Sequence, residues 1–204
     1  MMKQYFKFDS NGYYVCPVMA DYNTKNPKPN DVTDVQPGNG LYKAKFDGIK
    51  WIETVDQATL IQDAIRVKLQ EINTKCNDII ADGIDIETSI GTKHFSLFPE
   101  DQMNLTGLYL ELKSALEGKP SKIDLSKGVP YHADGELCRF WAPEDFGNIV
   151  KNSTNFIIYN NTYCNHLRAY IKGSTDLYTI EHIFYGIDLP EDLAKSLADI
   201  LGLS

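Results

Sequence analysis

Arginine is nearly missing from this sequence. Of its 20 basic residues only Arg66, Arg139 and Arg168 carry a guanidinium, and the rest are lysines. Acidic residues number 28, which leaves a net charge of −8. Neutralising phosphates takes a basic face, so this balance argues against nucleic acid as a partner. Long apolar runs are absent too: no stretch approaches the roughly 20 residues that span a bilayer, so no membrane insertion is expected. The N-terminus shows no charged segment followed by an apolar run and a small-residue cleavage site, so no secretion signal is read there. Cysteine is sparse, with Cys16, Cys76, Cys138 and Cys164 far apart and forming no CxxC pair. Free, buried thiols in a protein made in a reducing cytoplasm are the expectation. The catalytic signatures are missing as well: no GxSxG elbow, HExxH, Walker loop or strand-borne GxGxxG.

What is present is an ordinary globular composition, 43% hydrophobic and 24% charged over 204 residues. That length allows one domain, or two small ones, with a core. The opening is the most informative part. Tyr5 to Val15 is a run of β-formers interrupted by Ser10-Asn11-Gly12, and Gly40 to Trp51 is another interrupted by Asp47-Gly48. Asn-Gly and Asp-Gly between β-formers are strong hairpin signals, because such turns need residues that tolerate positive φ. A Pro/Asn-rich stretch between the two reads as an extended connection. Two hairpins bury too little to stand alone, and a helix is expected to complete them.

That helix is predicted over Gln57 to Ala81, with Ile61, Ile65, Leu69, Ile72, Cys76 and Ile79 on one stripe. The spacing serves a coiled-coil seam, and hence a homo-oligomer, or equally several turns of core-facing helix. Gly83 stops it. A hairpin follows over Ile84 to Leu97, then a helix from Pro99 to Gly118 carrying Leu105, Leu108, Tyr109, Leu112 and Leu116. A hairpin over Gly128 to Trp141, turning at Asp134-Gly135, leads into a long helix from Pro143 to about Lys172. Two short helical pieces, Tyr178 to Tyr185 and Pro190 to Leu201, end the chain. The fold class is therefore α+β: an N-terminal β-hairpin module (1–55), a connecting amphipathic helix (56–82), and a helix/hairpin/long-helix domain (83–204).

The middle of the chain resembles an uncharacterised domain of tail, baseplate and tail-fibre-associated proteins of tailed bacteriophages and prophages. The residues that carry the likeness are Ile79-Ile80-Ala81-Asp82-Gly83-Ile84, His94-Phe95-Ser96-Leu97, Asp101-Gln102-Met103-Asn104-Leu105 and Pro130 to Glu136, with the long helix after Pro143. They keep the family's order of helix, hairpin, helix, hairpin and long helix across roughly residues 60 to 172. The opening is similar to the N-termini of small phage structural proteins of low-GC Gram-positive bacteria, and to the start of tail-fibre assembly chaperones. The resemblance implies a structural protein of a virion or tail-like particle, made in the bacterial host cytoplasm, with other tail, baseplate or fibre proteins as partners. A chaperone that leaves the finished particle is the alternative. No activity or catalytic residue comes with the family.

Residue by residue, the chemistry is bland. His132, Asp134 and Glu136 are close in sequence but lack a further ligand at recognisable spacing, so a solvated turn is the better reading. His166 and His182 have no partner at i+4. The pairs Glu100-Asp101, Glu144-Asp145 and Glu191-Asp192 could suggest a glycan hydrolase, yet each stands where a helix start favours negative charge. No catalytic residue, cofactor or metal is expected. Among the 12 Tyr, 9 Phe and 2 Trp, most fall on apolar stripes, where they are core. The candidate protein interface is Tyr13, Tyr14, Tyr22, Tyr42 and Trp51 of the N-terminal module, with Ile61, Ile65 and Leu69 of the helix.

Overall fold

Asp9 builds the first turn. Its Oδ1 accepts from the N–H groups of Asn11 and Tyr13, both at 2.9 Å, and Gly12 adopts φ +88°. The turn joins β1 (Lys3–Phe8) to β2 (Tyr14–Ala20) as an antiparallel pair. The Pro/Asn-rich connection is not wholly extended: β3 (Val32–Thr33) pairs with the other side of β1, giving the sheet order β2-β1-β3. The second hairpin, β4 (Ala44–Phe46) and β5 (Trp51–Glu53), turns at Asp47, whose carboxylate accepts from the N–H groups of Ile49 and Lys50 at 2.8 Å each. The hairpins are tied where Phe46 N–H donates to Gly12 O at 2.8 Å. Phe6, Ala44 and Trp51 form a small buried core with Phe8, Leu41 and Phe46 against it. The Trp51 indole N–H donates to Val35 O at 2.7 Å, so its one polar atom is satisfied.

The computed structural model describes residues 2–203 and falls into two units, Met1–Asp63 and Ala64–Ser204. Helix α1 (Gln57–Asp82) starts in the first. Asp56 caps it, accepting from Ala58 and Thr59 N–H, and these bonds hold its carboxyl below the usual range.

In the second unit α1 ends at Gly83, with φ +90°, where any Cβ would collide with the backbone of Phe95 and Ser96. The hairpin β6 (Ile84–Thr88) and β7 (Gly91–Phe95) follows, then α2 (Pro99–Leu116). Strands β8 (Val129–Tyr131) and β9 (Arg139–Trp141) are only three residues each. The sequence suggests a longer hairpin closed at Asp134-Gly135. It stays short because Asp134 turns to β7, its N–H donating to His94 O at 2.9 Å. Helix α3 (Pro143–Gly173) is the spine, and α4 (Leu177–His182) and α5 (Glu191–Leu201) complete the unit. Acidic pairs occupy the first turns of α2, α3 and α5, where the macrodipole favours them.

Two clusters make the core of this unit. One gathers Phe95, Leu97, Leu105, Tyr131, Trp141, Phe146 and Ile149 with Cys76 and Ile80 of α1. The other gathers Ile72, Tyr163, Leu167, Ile171 and Ile183, with Ile65 and Leu69 packed on it. The stripe on α1 therefore packs inside the fold from Ile65 onward, and Ile80 rather than Ile79 is its last buried residue. That packing removes the reason for reading the stripe as a coiled-coil seam. The thiols need a second correction: Cys76 and Cys164 form a disulfide between α1 and α3, leaving Cys16 and Cys138 free. Among the described residues no helix is long and apolar enough to cross a membrane.

Candidate interface of the N-terminal unit

Strand β2 lies at one edge of its sheet, and the side chains of Pro17 and Met19 are exposed on it. They pair with Phe6 and Gln4, so they stand on the same face as the buried Phe6 ring. Val15 falls in a bulge opposite Lys7 and Phe8 and is also exposed. Pro17 has no N–H, so the free edge of β2 is interrupted at mid-strand. That disfavours the addition of a partner strand and leaves side chains as the means of contact.

The second hairpin supplies two further exposed side chains, Tyr42 at 61% and Ile49 at 82%. Ile49 sits in the Asp47-Gly48 turn, at the rim of a cleft of about 350 Å³ lined by Phe8, Lys28, Val32, Val35 and Phe46 among others. Tyr42 is set by Glu53. The Glu53 carboxylate accepts from the N–H of Tyr42 at 2.5 Å and of Lys43 at 3.1 Å, and from those of Thr54 and Val55 at 2.8 and 2.9 Å. These bonds, led by that from Val55, hold the Glu53 carboxyl below the usual carboxylate range.

The residues singled out from the sequence divide between surface and core. Tyr42 is exposed. Tyr14 is 39% exposed, with its ring edge-on to Trp51 at 5.6 Å. Tyr13 is half-buried beneath the ammonium groups of Lys43 and Lys45, 4.9 and 5.5 Å from its centroid. Tyr22 is half-buried against Tyr5, and Ile61 is half-buried on α1. Trp51 is core, 8% exposed, because closing the small sheet needs a large ring. Ile65 and Leu69 pack within the second unit. Trp51, Ile65 and Leu69 are thus removed from the candidate surface. Ile49, Met19 and Glu53 were not among the sequence candidates. Only Ile49 carried a legible signal, since an apolar residue inside a hairpin turn has no strand to cover it.

Several polar residues of the second unit converge near the end of α1. His94 Nδ1 lies 2.6 Å from Asp85 Oδ1, and its Nε2 lies 2.6 Å from the Asp82 carbonyl at the end of α1. Asp134 accepts from Ser96 N–H at 3.0 Å and from its hydroxyl at 3.1 Å. Lys93 pairs with Glu136, and His132 stacks on Tyr131. Both imidazole nitrogens are engaged, neither with the Ser96 hydroxyl. These contacts fasten two hairpins and a helix end together. Among the described residues no group of three or more His, Cys, Asp or Glu side chains is arranged to hold a metal ion.

Comparison with known proteins bears on the N-terminal unit. No curated protein and no solved structure matches the chain. Residues 2–60 match the family model of the phage YomQ N-terminal domain, a span that falls within the unit Met1–Asp63. The protein is phage-associated.

Proposed function

We propose that this protein is a non-enzymatic structural component of a phage tail or tail-like particle, seated at the baseplate or tail-fibre junction, and that its N-terminal unit docks on another tail protein. The observation that carries the reading is the coincidence of the phage-domain match with a separately built unit that leaves Met19, Tyr42 and Ile49 uncovered. An apolar side chain in the turn of a hairpin contributes nothing to its own fold, and covering it with a partner removes apolar area from water at about 25 cal/mol per Å². A stable docking contact of this kind buries on the order of 1,000 Å² in total. The likeness of residues 60 to 172 to tail-associated domains supports the tail over other parts of a phage.

The test is mass spectrometry of purified particles, with copy number measured against the sheath or tube protein. A stoichiometric signal at a small multiple of three or six supports the reading. Absence from particles while the protein is abundant in the lysate overturns it in favour of an assembly chaperone.

A further inference from the structure

Three tyrosines form a corner at the edge of the second core cluster: Tyr163 belongs to that cluster, Tyr185 packs against it and Tyr159 reaches the surface. Tyr159 and Tyr163, one turn apart on α3, lie nearly parallel with centroids 6.3 Å apart, and Tyr185 meets Tyr163 edge-on at 5.2 Å. Together with Asn160, Asp188, Leu189, Ala194 and Leu197 they line an open cleft of about 360 Å³. Tyr159 is 45% exposed at its mouth.

The inner wall is fixed in advance. The Tyr163 hydroxyl donates to Ile187 O at 2.6 Å and accepts from Gly186 N–H at 3.1 Å. The Tyr185 hydroxyl bonds Asn160 Oδ1, and Asn160 Nδ2 donates to Phe156 O at 2.8 Å. Burial raises both phenols, Tyr185 to about 12, so they remain neutral rings at physiological pH. Asp188 is the one charged residue lining the cleft, and it has no hydrogen-bond or ion-pair partner among the described residues.

This inventory decides the class of ligand. An anion meets a carboxylate and no basic side chain. A sugar needs several free, directional donors and acceptors, and the amide and the inner hydroxyls are already engaged. A small cation with apolar substituents meets the exposed Tyr159 ring and the half-buried Tyr185 ring, backed by the buried Tyr163, with aliphatic walls and one opposite charge, which are the elements of cation–π recognition. We infer that the cleft walled by Tyr159, Tyr163 and Tyr185 binds a compact organic ammonium group, with Asp188 as its counter-charge. This site is independent of docking through the N-terminal unit and stands or falls separately from it.

The full chain is titrated by NMR and calorimetry with choline, tetramethylammonium, n-butylammonium and 3,3-dimethylbutan-1-ol, the last a neutral isostere of choline. Saturable binding of an ammonium, with ring-proton shifts at Tyr159 and Tyr185, is expected. The neutral isostere, Tyr159→Ala and Asp188→Asn should each weaken binding about three- to five-fold. Preference for choline over n-butylammonium identifies a quaternary headgroup, and the reverse identifies a lysine-like primary amine. Both substitutions are at exposed positions, and an unchanged melting curve for each confirms that the fold persists. No saturable binding by any ammonium, or binding indifferent to probe charge and to Asp188→Asn, overturns the inference.

Discussion

Glu53 holds Tyr42 in place: Glu53 Oε2 accepts from the Tyr42 N–H at 2.5 Å while Oε1 of the same carboxylate takes Lys43 N–H. One side chain at the end of β5 thus sets the backbone that presents the exposed tyrosine. The Glu53 carboxyl is held below its reference value of 4.5, first by the Val55 N–H and then by those of Tyr42 and Lys43, which the folded hairpin brings to it from across the strands. A group with a depressed folded pKa contributes stability above its unfolded value, and loses it as pH falls through the folded one. The amide resonances of Tyr42 and Lys43 should therefore titrate together below pH 4.5. Glu53→Gln should abolish that titration and speed hydrogen exchange at both amides. Amides indifferent to both acid and substitution would show that the carboxylate does not hold the loop.

His94 gives the opposite pH dependence in the second unit. Its two nitrogens face acceptors, the Asp85 carboxylate and the Asp82 carbonyl, so the imidazolium can donate both protons. Asp134 adds a second negative charge at 3.9 Å. The bond to Asp85 is the chief cause that raises the His94 pKa above 6.5, followed by that to Asp82, against a desolvation cost. A raised folded pKa gives stability that is full below 6.5 and is lost as pH rises through the folded value. Urea midpoints of the wild type should fall towards those of His94→Gln over that window, and Asp85→Asn should reduce the pH-dependent difference. A constant gap between wild type and His94→Gln across the window would contradict it. The imidazole is 39% exposed, so the effect is modest and screened by salt.

The Cys76–Cys164 bond closes a separation of 88 residues. Chain entropy alone predicts that such a link stabilises by about 4.6 kcal/mol, an upper figure where the unfolded chain keeps structure. Protein purified without reductant, then unfolded and alkylated, should label at Cys16 and Cys138 and not at Cys76 or Cys164. Adding reductant before unfolding should lower the urea midpoint without unfolding the native protein, because both residues are also buried core. Labelling of all four cysteines in unreduced protein would remove the disulfide from the account.

The contrast between these sites explains what the sequence could disclose. Turns and helix limits were legible because they rest on local chemistry: Gly12, Gly48 and Gly83 take positive φ, Asp9 and Asp47 accept from the N–H groups of their turns, and Pro99 and Pro143 suit first turns. Strand β3 was not, since two residues in a Pro/Asn-rich connection carry no period. They pair only because β1 offers a free edge. The disulfide depends on α1 lying against α3, which no spacing reveals. Trp51 illustrates the limit for the candidate surface, because an aromatic beside a hairpin turn reads equally as core or contact. Tyr42 and Tyr14 were found from sequence, whereas Glu53 acts through backbone N–H groups that no motif records.

The proposed docking surface makes a prediction that separates contact from folding. Tyr42→Ala and Ile49→Lys remove exposed side chains, which costs within about 0.5 kcal/mol of stability at positions of this kind. Each should leave the melting temperature nearly unchanged. In the particle each should reduce incorporation, and the double variant should reduce it more than either alone, since exposed apolar and aromatic residues gain most on being covered. Trp51→Ala is the counter-example. It empties a core in which Phe8, Phe46 and Tyr14 contact the indole within 6.3 Å, and should cost about 3–5 kcal/mol. Its loss from particles would follow from unfolding of the N-terminal unit and would be accompanied by a lowered melting temperature. Competition assembly with wild-type and variant chains, read by peptide mass spectrometry of the particles, measures all of these together. Equal incorporation of wild type and the Tyr42→Ala/Ile49→Lys variant would move the docking surface away from the second hairpin, towards the exposed row on β2.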